Sequence, residues 1–304
     1  MFKLNKKQKS KNGIEPINKL TFSQIKLSYK RSPISLIMLI LVILSAIITV
    51  GVLFSIIIHI LVSGIPNLSK EQFEWVYNSD NVSMMPAIIN TLFMTLITLL
   101  IVVPIGVFSA IYLVEYAKKG NRLVKVVRIT TETLSGIPSI VFGLFGYLMF
   151  VTACKMQYSM IAGALTLAMM VLPTIMRTTE EALKSVPDSY REASFGLGAG
   201  KLRTVFKIVL PAAMPGILQG VILSIGRIVG ETAALIYTAG TGAQIAKSLG
   251  SSSRTLAVHM YTLFSEGMHI DKMASTAVVL LFMVLIINII SGLIAKKIAS
   301  ISKN

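Results

Sequence analysis

Six long apolar runs dominate this chain, at residues 35–62, 87–114, 134–153, 160–176, 216–239 and 273–295. A helix rises about 1.5 Å per residue, so about 20 apolar residues cross a hydrocarbon layer about 30 Å thick. Inside that layer every backbone amide must find a partner within the protein, which a continuous apolar run achieves as a helix. The sequence therefore predicts an all-α, polytopic membrane protein with about six transmembrane helices, the fourth being the shortest. Composition agrees, since 54% apolar residues, 14% charged residues and a mean hydropathy of +0.76 exceed what a soluble core of ordinary design conceals.

Charge sets the orientation. Residues 1–31 carry nine Lys or Arg against one acid, Glu15, and form a basic cytoplasmic tail ahead of a transmembrane domain spanning 32–304. The apolar run that follows is too long for the 7 to 15 residues of a cleaved signal, so the first helix is read as uncleaved. With the N-terminus inside, cytoplasmic segments hold 23 of the 29 basic residues, whereas outer loops hold Lys70, Lys155, Lys247, Arg254 and Lys272. Both termini and the segment 177–215 are thus cytoplasmic. The net charge of +16 reports topology and contact with anionic membrane lipid, because the basic residues are dispersed over short flanks of apolar runs rather than gathered for nucleic acid.

Several chemistries find no support. The glycine-rich stretch Gly196-Leu197-Gly198-Ala199-Gly200-Lys201 has Phe195 where a phosphate loop needs its first glycine and Leu202 where it needs Ser or Thr. Loops between runs are short and leave no room for a nucleotide-binding domain, so any ATP and magnesium belong to a partner ATPase, with no cofactor and no metal expected on this chain. Cys154 is alone and is expected to pack. His59, His259 and His269 are far apart and read as interfacial or loop residues.

Two features point to function. In the fifth run, Gly226-Arg227-Ile228-Val229-Gly230-Glu231-Thr232 places two charges inside an apolar segment. Each central charge costs about 2.5 to 3.5 kcal/mol on an insertion scale, so such residues mark a pathway, a pair, or both. On one helix Arg227 and Glu231 share a face at i and i+4, with Ser224 and Thr238 near it. Gly226 and Gly230, like Gly216 and Gly220, form small-xxx-small pairs suited to close helix packing. The alternative is a structural salt bridge joining two helices. The second feature is the cytoplasmic segment Glu192-Ala193-Ser194, three residues, Gly198, nine residues, Ile208-Val209-Leu210-Pro211. Pro187 and Asp188 suit a helix start, Gly198 and Gly200 a sharp bend, and Pro211 a stop.

That spacing resembles the Glu-Ala-Ala loop of ABC importer permeases, with Ser194 replacing an alanine. Gly226 to Ala239 is similar to the Gly-Arg-x-x-Gly-Glu-Thr signature of phosphate ABC transporter permeases, and Gly136-Ile137-Pro138-Ser139 and Leu172-Pro173-Thr174 support the same family. Over residues 86–295 the chain resembles the PstA type more than the PstC type.

The resemblance implies a type I ABC importer permease fold in a bacterial or archaeal cell membrane. It implies a PstC-like permease, two PstB-like ATPases and a PstS-like phosphate-binding protein as partners, with inorganic phosphate as the solute. Glu192, Ala193, Ser194, Gly198 and Pro211 would dock the ATPase. Arg227, Glu231, Ser224 and Thr232 would line the substrate path, and Gly136, Pro138, Gly226 and Gly230 would serve helix packing. A permease for another oxyanion (sulfate, molybdate or phosphonate), a membrane scaffold or sensor, and an intramembrane enzyme using Glu231 as a base are the competing readings.

Overall fold

The computed structural model describes residues 33–118, 120–267 and 269–301; the basic tail 1–31 lies outside them. Among the described residues every regular element is a helix. Five helices are long and apolar enough to cross a membrane, and a bent pair makes a sixth span. The chain divides into residues 1–59 and 60–304. The first unit holds most of α1 (Pro33–Gly64), apolar on all faces as a lipid-facing span requires.

In the second unit, α2 (Met85–Ile111) starts with Pro86 in its first turn, where a missing N–H is harmless, and continues through a π-helical turn at Tyr112–Tyr116. Next come α3 (Arg122–Ser135) and α4 (Ser139–Gly146), the latter extended by a π-helical segment to Ala153. Helix α5 (Met160–Lys184) packs along α2, burying Met94, Val102, Leu167, Val171 and Ile175. The segment around Glu192 folds as α6 (Asp188–Gly196) and α7 (Lys201–Thr204), the latter running through a π-helical turn into α8 (Leu210–Val229). Short helices α9 (Ala233–Ile236) and α10 (Leu256–Glu266) precede the last span, α11 (Ile270–Ile301).

Apolarity located the spans but not their breaks. The run at 134–153 is not one span: α3 and α4 meet at 108° across Gly136-Ile137-Pro138. Proline lacks an N–H and disfavours helical backbone in the residue before it, so Pro138 breaks the helix. A Cβ on Gly136 would meet nothing nearer than the Thr133 carbonyl at 3.6 Å, so Gly136 makes no close helix contact within this chain, and Pro138 stands at the break.

The fifth run is also shifted. Its helix covers 201–229 and ends at Gly230, before the expected end at 239. Pro211 does not stop the helix; the π-helical turn Val205–Val209 just ahead widens the backbone where proline supplies no donor. Gly226 faces open space within this chain, and a Cβ on Gly230 would meet only its own Gly226 carbonyl at 3.6 Å, so this pair packs no helix here. Close approach falls instead at Gly216 and Gly220, which abut Ala182 and Thr178 of α5, and at Gly143, which lies against Ala234. Cys154 is exposed rather than packed, and His259 is fully buried on α10 rather than interfacial.

Candidate functional site

Helices α5, α8 and α11 line an open cleft of about 710 Å³ whose polar lining comes from Thr178, Glu181, Gln219, Arg227 and Asn288. Arg227 stands in the last turn of α8, where the helix dipole favours a cation, and its side chain is half-buried. Gln219 and Arg227 lie two turns apart on one face, with Leu223 between them, and Asn288 interrupts an otherwise apolar stretch of α11. Arg227 and the two amides offer donors that an oxyanion accepts from, while the Glu181 carboxylate in the same lining is held by Arg177 at 3.1 Å. The polar residues Gln219 and Asn288 were visible inside apolar runs, yet sequence reading passed over them.

The other expected path residues do not share this cavity. Because α8 ends at Val229, Glu231 is not one helical turn above Arg227, and no ion pair joins them among the described residues. Glu231 Oε1 accepts the Ala234 N–H at 3.1 Å, so it caps α9 and is 9% exposed. Ser224 is fully buried and donates to the Gly220 carbonyl at 2.9 Å. Thr232 is half-buried and faces the Gly230 carbonyl at 3.5 Å, and Thr238 donates to the Ala234 carbonyl at 2.8 Å. The expected stripe is thus split between a cavity wall and internal hydrogen bonds.

The face that carries Glu192 is built by α6 and α7. Glu192 and Ala193 are exposed, beside the exposed apolar side chains Tyr190, Phe195, Leu197 and Leu202. Ser194 is 3% exposed, and its hydroxyl lies 2.8 Å from that of Thr204, which is fully buried and joins α6 to α7. Gly198 turns the chain between them at φ +79°, a left-handed conformation costly to residues with a Cβ. Beneath this face Arg191, which sequence reading did not single out, donates to the Glu115 carboxylate at 2.7 and 3.1 Å and to the carbonyls of Val186 and Leu183 at 2.9 and 3.0 Å. Beside it, Glu180 bridges Arg128 of α3 and Lys184 of α5, each at 2.6 Å.

Comparison with known proteins agrees with this architecture. The chain is 33% identical over 267 residues to the probable ABC transporter permease protein YqgI of Bacillus subtilis (strain 168), covering 81% of this chain and 90% of that protein. It is 36% identical over 211 residues to the phosphate transport system permease protein PstA 1 of Mycobacterium tuberculosis (strain CDC 1551 / Oshkosh), covering 68% of this chain and 69% of that one. Among solved structures, a bacterial ABC transporter involved in the import of the acidic polysaccharide alginate superposes with a TM-score of 0.62 at 15% identity, covering 90% of this chain and 99% of that chain. An inward-facing MetNI methionine ABC transporter gives 0.54 at 21% identity, covering 71% and 94%. These two likenesses concern the fold alone. Residues 102–300 match the family described as the binding-protein-dependent transport system inner membrane component, and the chain belongs to that family.

Proposed function

We propose that this chain is the PstA-type permease of an ATP-driven importer of inorganic phosphate, forming the translocation path with a second, PstC-like permease. The observation that carries the solute assignment is Arg227 on the wall of an open cleft that Gln219 and Asn288 also line. A planar guanidinium grips two oxyanion oxygens at once, and amides add donors without adding charge. Relatives named as phosphate transport permeases support the same solute.

ATP and its magnesium act on partner subunits, two PstB-like ATPases that engage the face formed by Glu192, Ala193, Phe195 and Leu197. Phosphate arrives from a PstS-like binding protein. This chain changes no covalent bond; it supplies geometry that alternates between two accessibilities. Glu231 and Ser224 hold that geometry, while Arg227 meets the anion.

The test is purification of the assembled complex from native membranes, identification of its subunits, and labelled uptake in vesicles. ATP-dependent accumulation of phosphate, undiminished by excess sulfate, is the expected result. Accumulation of sulfate or molybdate in preference to phosphate overturns the solute assignment.

A further inference from the structure

The pairing of α2 with α5 is clamped at both ends, and the inner clamp is part of the coupling face; the inference below therefore rests on the permease reading. At the cytoplasmic end Arg191 bridges the two helices. Its Nε and Nη2 grip Glu115, at the end of α2, while Nη1 and Nη2 reach the Val186 and Leu183 carbonyls at the end of α5. Glu115 and Arg191 side chains are only 8% and 15% exposed, which places the pair among the better-shielded ions of the structure. Two further contacts fix the coupling segment to α2: Lys201 Nζ lies 5.1 Å from the Tyr116 ring centre, and the Phe108 and Phe206 rings are 6.5 Å apart.

At the outer end the bridge is a stretch of backbone, residues 238–256. Asn90 of α2, fully buried, donates to the Gln244 carbonyl at 3.0 Å and accepts the Ala246 N–H at 3.0 Å; Thr91 accepts the Leu256 N–H at 2.8 Å. The same stretch caps α5. The N–H groups of Ser159, Met160 and Ile161 donate to the carbonyls of Thr238, Ser251 and Leu249 at 3.0 to 3.1 Å. A buried amide left without these partners loses its desolvation compensation, so the outer bridge resists relative sliding. Between the clamps Gly106 brings α2 against Ile175 of α5, with no room for a side chain.

We propose that α2 and α5 move as one lever that carries displacement of the coupling face to the outer segment 238–256, with Glu115 and Asn90 as positioning residues at its two ends. The 26 residues from Asn90 to Glu115 span about 37 Å of helix, enough to cross a hydrocarbon layer of about 30 Å. The clamps act in series: with either one open, the lever is slack.

The test uses the intact complex in vesicles and reads phosphate taken up per ATP hydrolysed, normalised to assembled protein. Glu115→Gln and Asn90→Leu are each expected to lower this ratio about tenfold while the complex still hydrolyses ATP, within the range of known coupling energies. The double variant is expected to be no worse than the weaker single, because a series link fails once. Glu115→Asp, which keeps a carboxylate for Arg191, recovers most of the ratio. Multiplication of the two effects to about hundredfold, or wild-type ratios in both singles, overturns the lever.

A second measurement does not depend on those variants folding. In a Cys154→Ser background, Gly106→Cys is paired with Ile175→Cys, which removes the Ile175 Cγ2 that stands 2.7 Å from a Cβ at 106; the two Cβ atoms, 3.2 Å apart, need only a small shift to reach the about 3.5 Å of a disulfide. Oxidation is expected to leave uptake unchanged; loss of uptake on oxidation and its return on reduction shows that α2 and α5 slide, and the lever falls. Should the wild type itself fail to couple ATP to uptake, the permease reading fails and takes the lever with it.

Discussion

Glu231 is turned away from Arg227 although only four residues separate them: its carboxylate caps α9 through the Ala234 N–H at 3.1 Å, while Arg227 faces the cavity from the last turn of α8. The two charges therefore serve separate ends. Glu231→Gln keeps an oxygen for the Ala234 N–H and is expected to leave assembly within about 1 kcal/mol of wild type, whereas Glu231→Ala loses the cap at about 0.5 to 2 kcal/mol. Arg227→Gln is expected to lower uptake roughly 10- to 100-fold per assembled complex, the loss of one charged hydrogen-bonding group. Adding Glu231→Gln does not restore it. Recovery of uptake in the double variant, measured with labelled phosphate, would establish a salt bridge in place of an anion ligand.

Gly198 holds the bend between α6 and α7 at φ +79°. A residue with a Cβ pays about 1 to 2 kcal/mol for left-handed backbone, and a β-branched one more, whereas asparagine adopts it readily. Gly198→Val is expected to lose co-purifying ATPase and solute-stimulated hydrolysis, and Gly198→Asn to keep most of both. Equal behaviour of the two variants in pull-down and hydrolysis assays rules out the bend as the reason glycine is needed.

Ser194 occupies the position where the related loop pattern has alanine, and its hydroxyl meets that of Thr204 at 2.8 Å. Thr204 also donates to the Gly200 carbonyl at 3.2 Å, so it is not orphaned when Ser194 is changed. Ser194→Ala is expected to cost no more than about 1 kcal/mol and to preserve coupling. Ser194→Leu, in a site 3% exposed, should separate α6 from α7 and abolish ATPase binding, which pull-down from detergent extracts would reveal.

The spans were readable because desolvation of the backbone leaves long apolar runs only one secondary structure. Breaks at Gly136-Ile137-Pro138 and Gly230-Glu231-Thr232 were not, since apolarity says nothing about where a helix ends, and treating 216–239 as one helix put Arg227 and Glu231 on one face. The bend between α6 and α7 could be read from Gly198. Arg191 could not: an arginine beside Glu192 looks like a solvated charge, and its partner Glu115 lies 76 residues away. Gln219 and Asn288 carried a signal, a polar amide within apolar surroundings, but only the fold brings α8 and α11 together around it.

Two glycines six residues apart on α8 make a contrasting pair. A Cβ at Gly220 would run into the Thr178 side chain, whereas one at Gly226 meets nothing within 4 Å of this chain. Gly220→Val is expected to destabilise the helix pair α5 and α8 by about 1 to 3 kcal/mol through overpacking. Gly226→Ala should leave thermal stability unchanged or raised by up to about 1 kcal/mol, from better helix propensity. If Gly226→Ala prevents complex formation while the isolated chain remains stable, Gly226 packs against a partner subunit.

His259 supplies the pH dependence. Burial, with help from the Arg254 charge nearby, lowers its pKa from the ordinary 6.5 to about 3. Its ring meets Tyr77 edge-on at 6.1 Å, and Arg254 lies 4.3 Å from the same Tyr77 ring centre. Since the folded chain binds this proton only below about pH 3 and the unfolded chain binds it below about 6.5, stability is flat above pH 6.5. As pH falls below that value, protonation favours the unfolded chain, and stability declines by about 1.4 kcal/mol per unit until pH approaches 3. Thermal unfolding of the complex at pH 7 and pH 5 should therefore show a lower midpoint at pH 5, and His259→Leu should shrink that difference. An equal acid shift in His259→Leu would assign the acid lability to other groups.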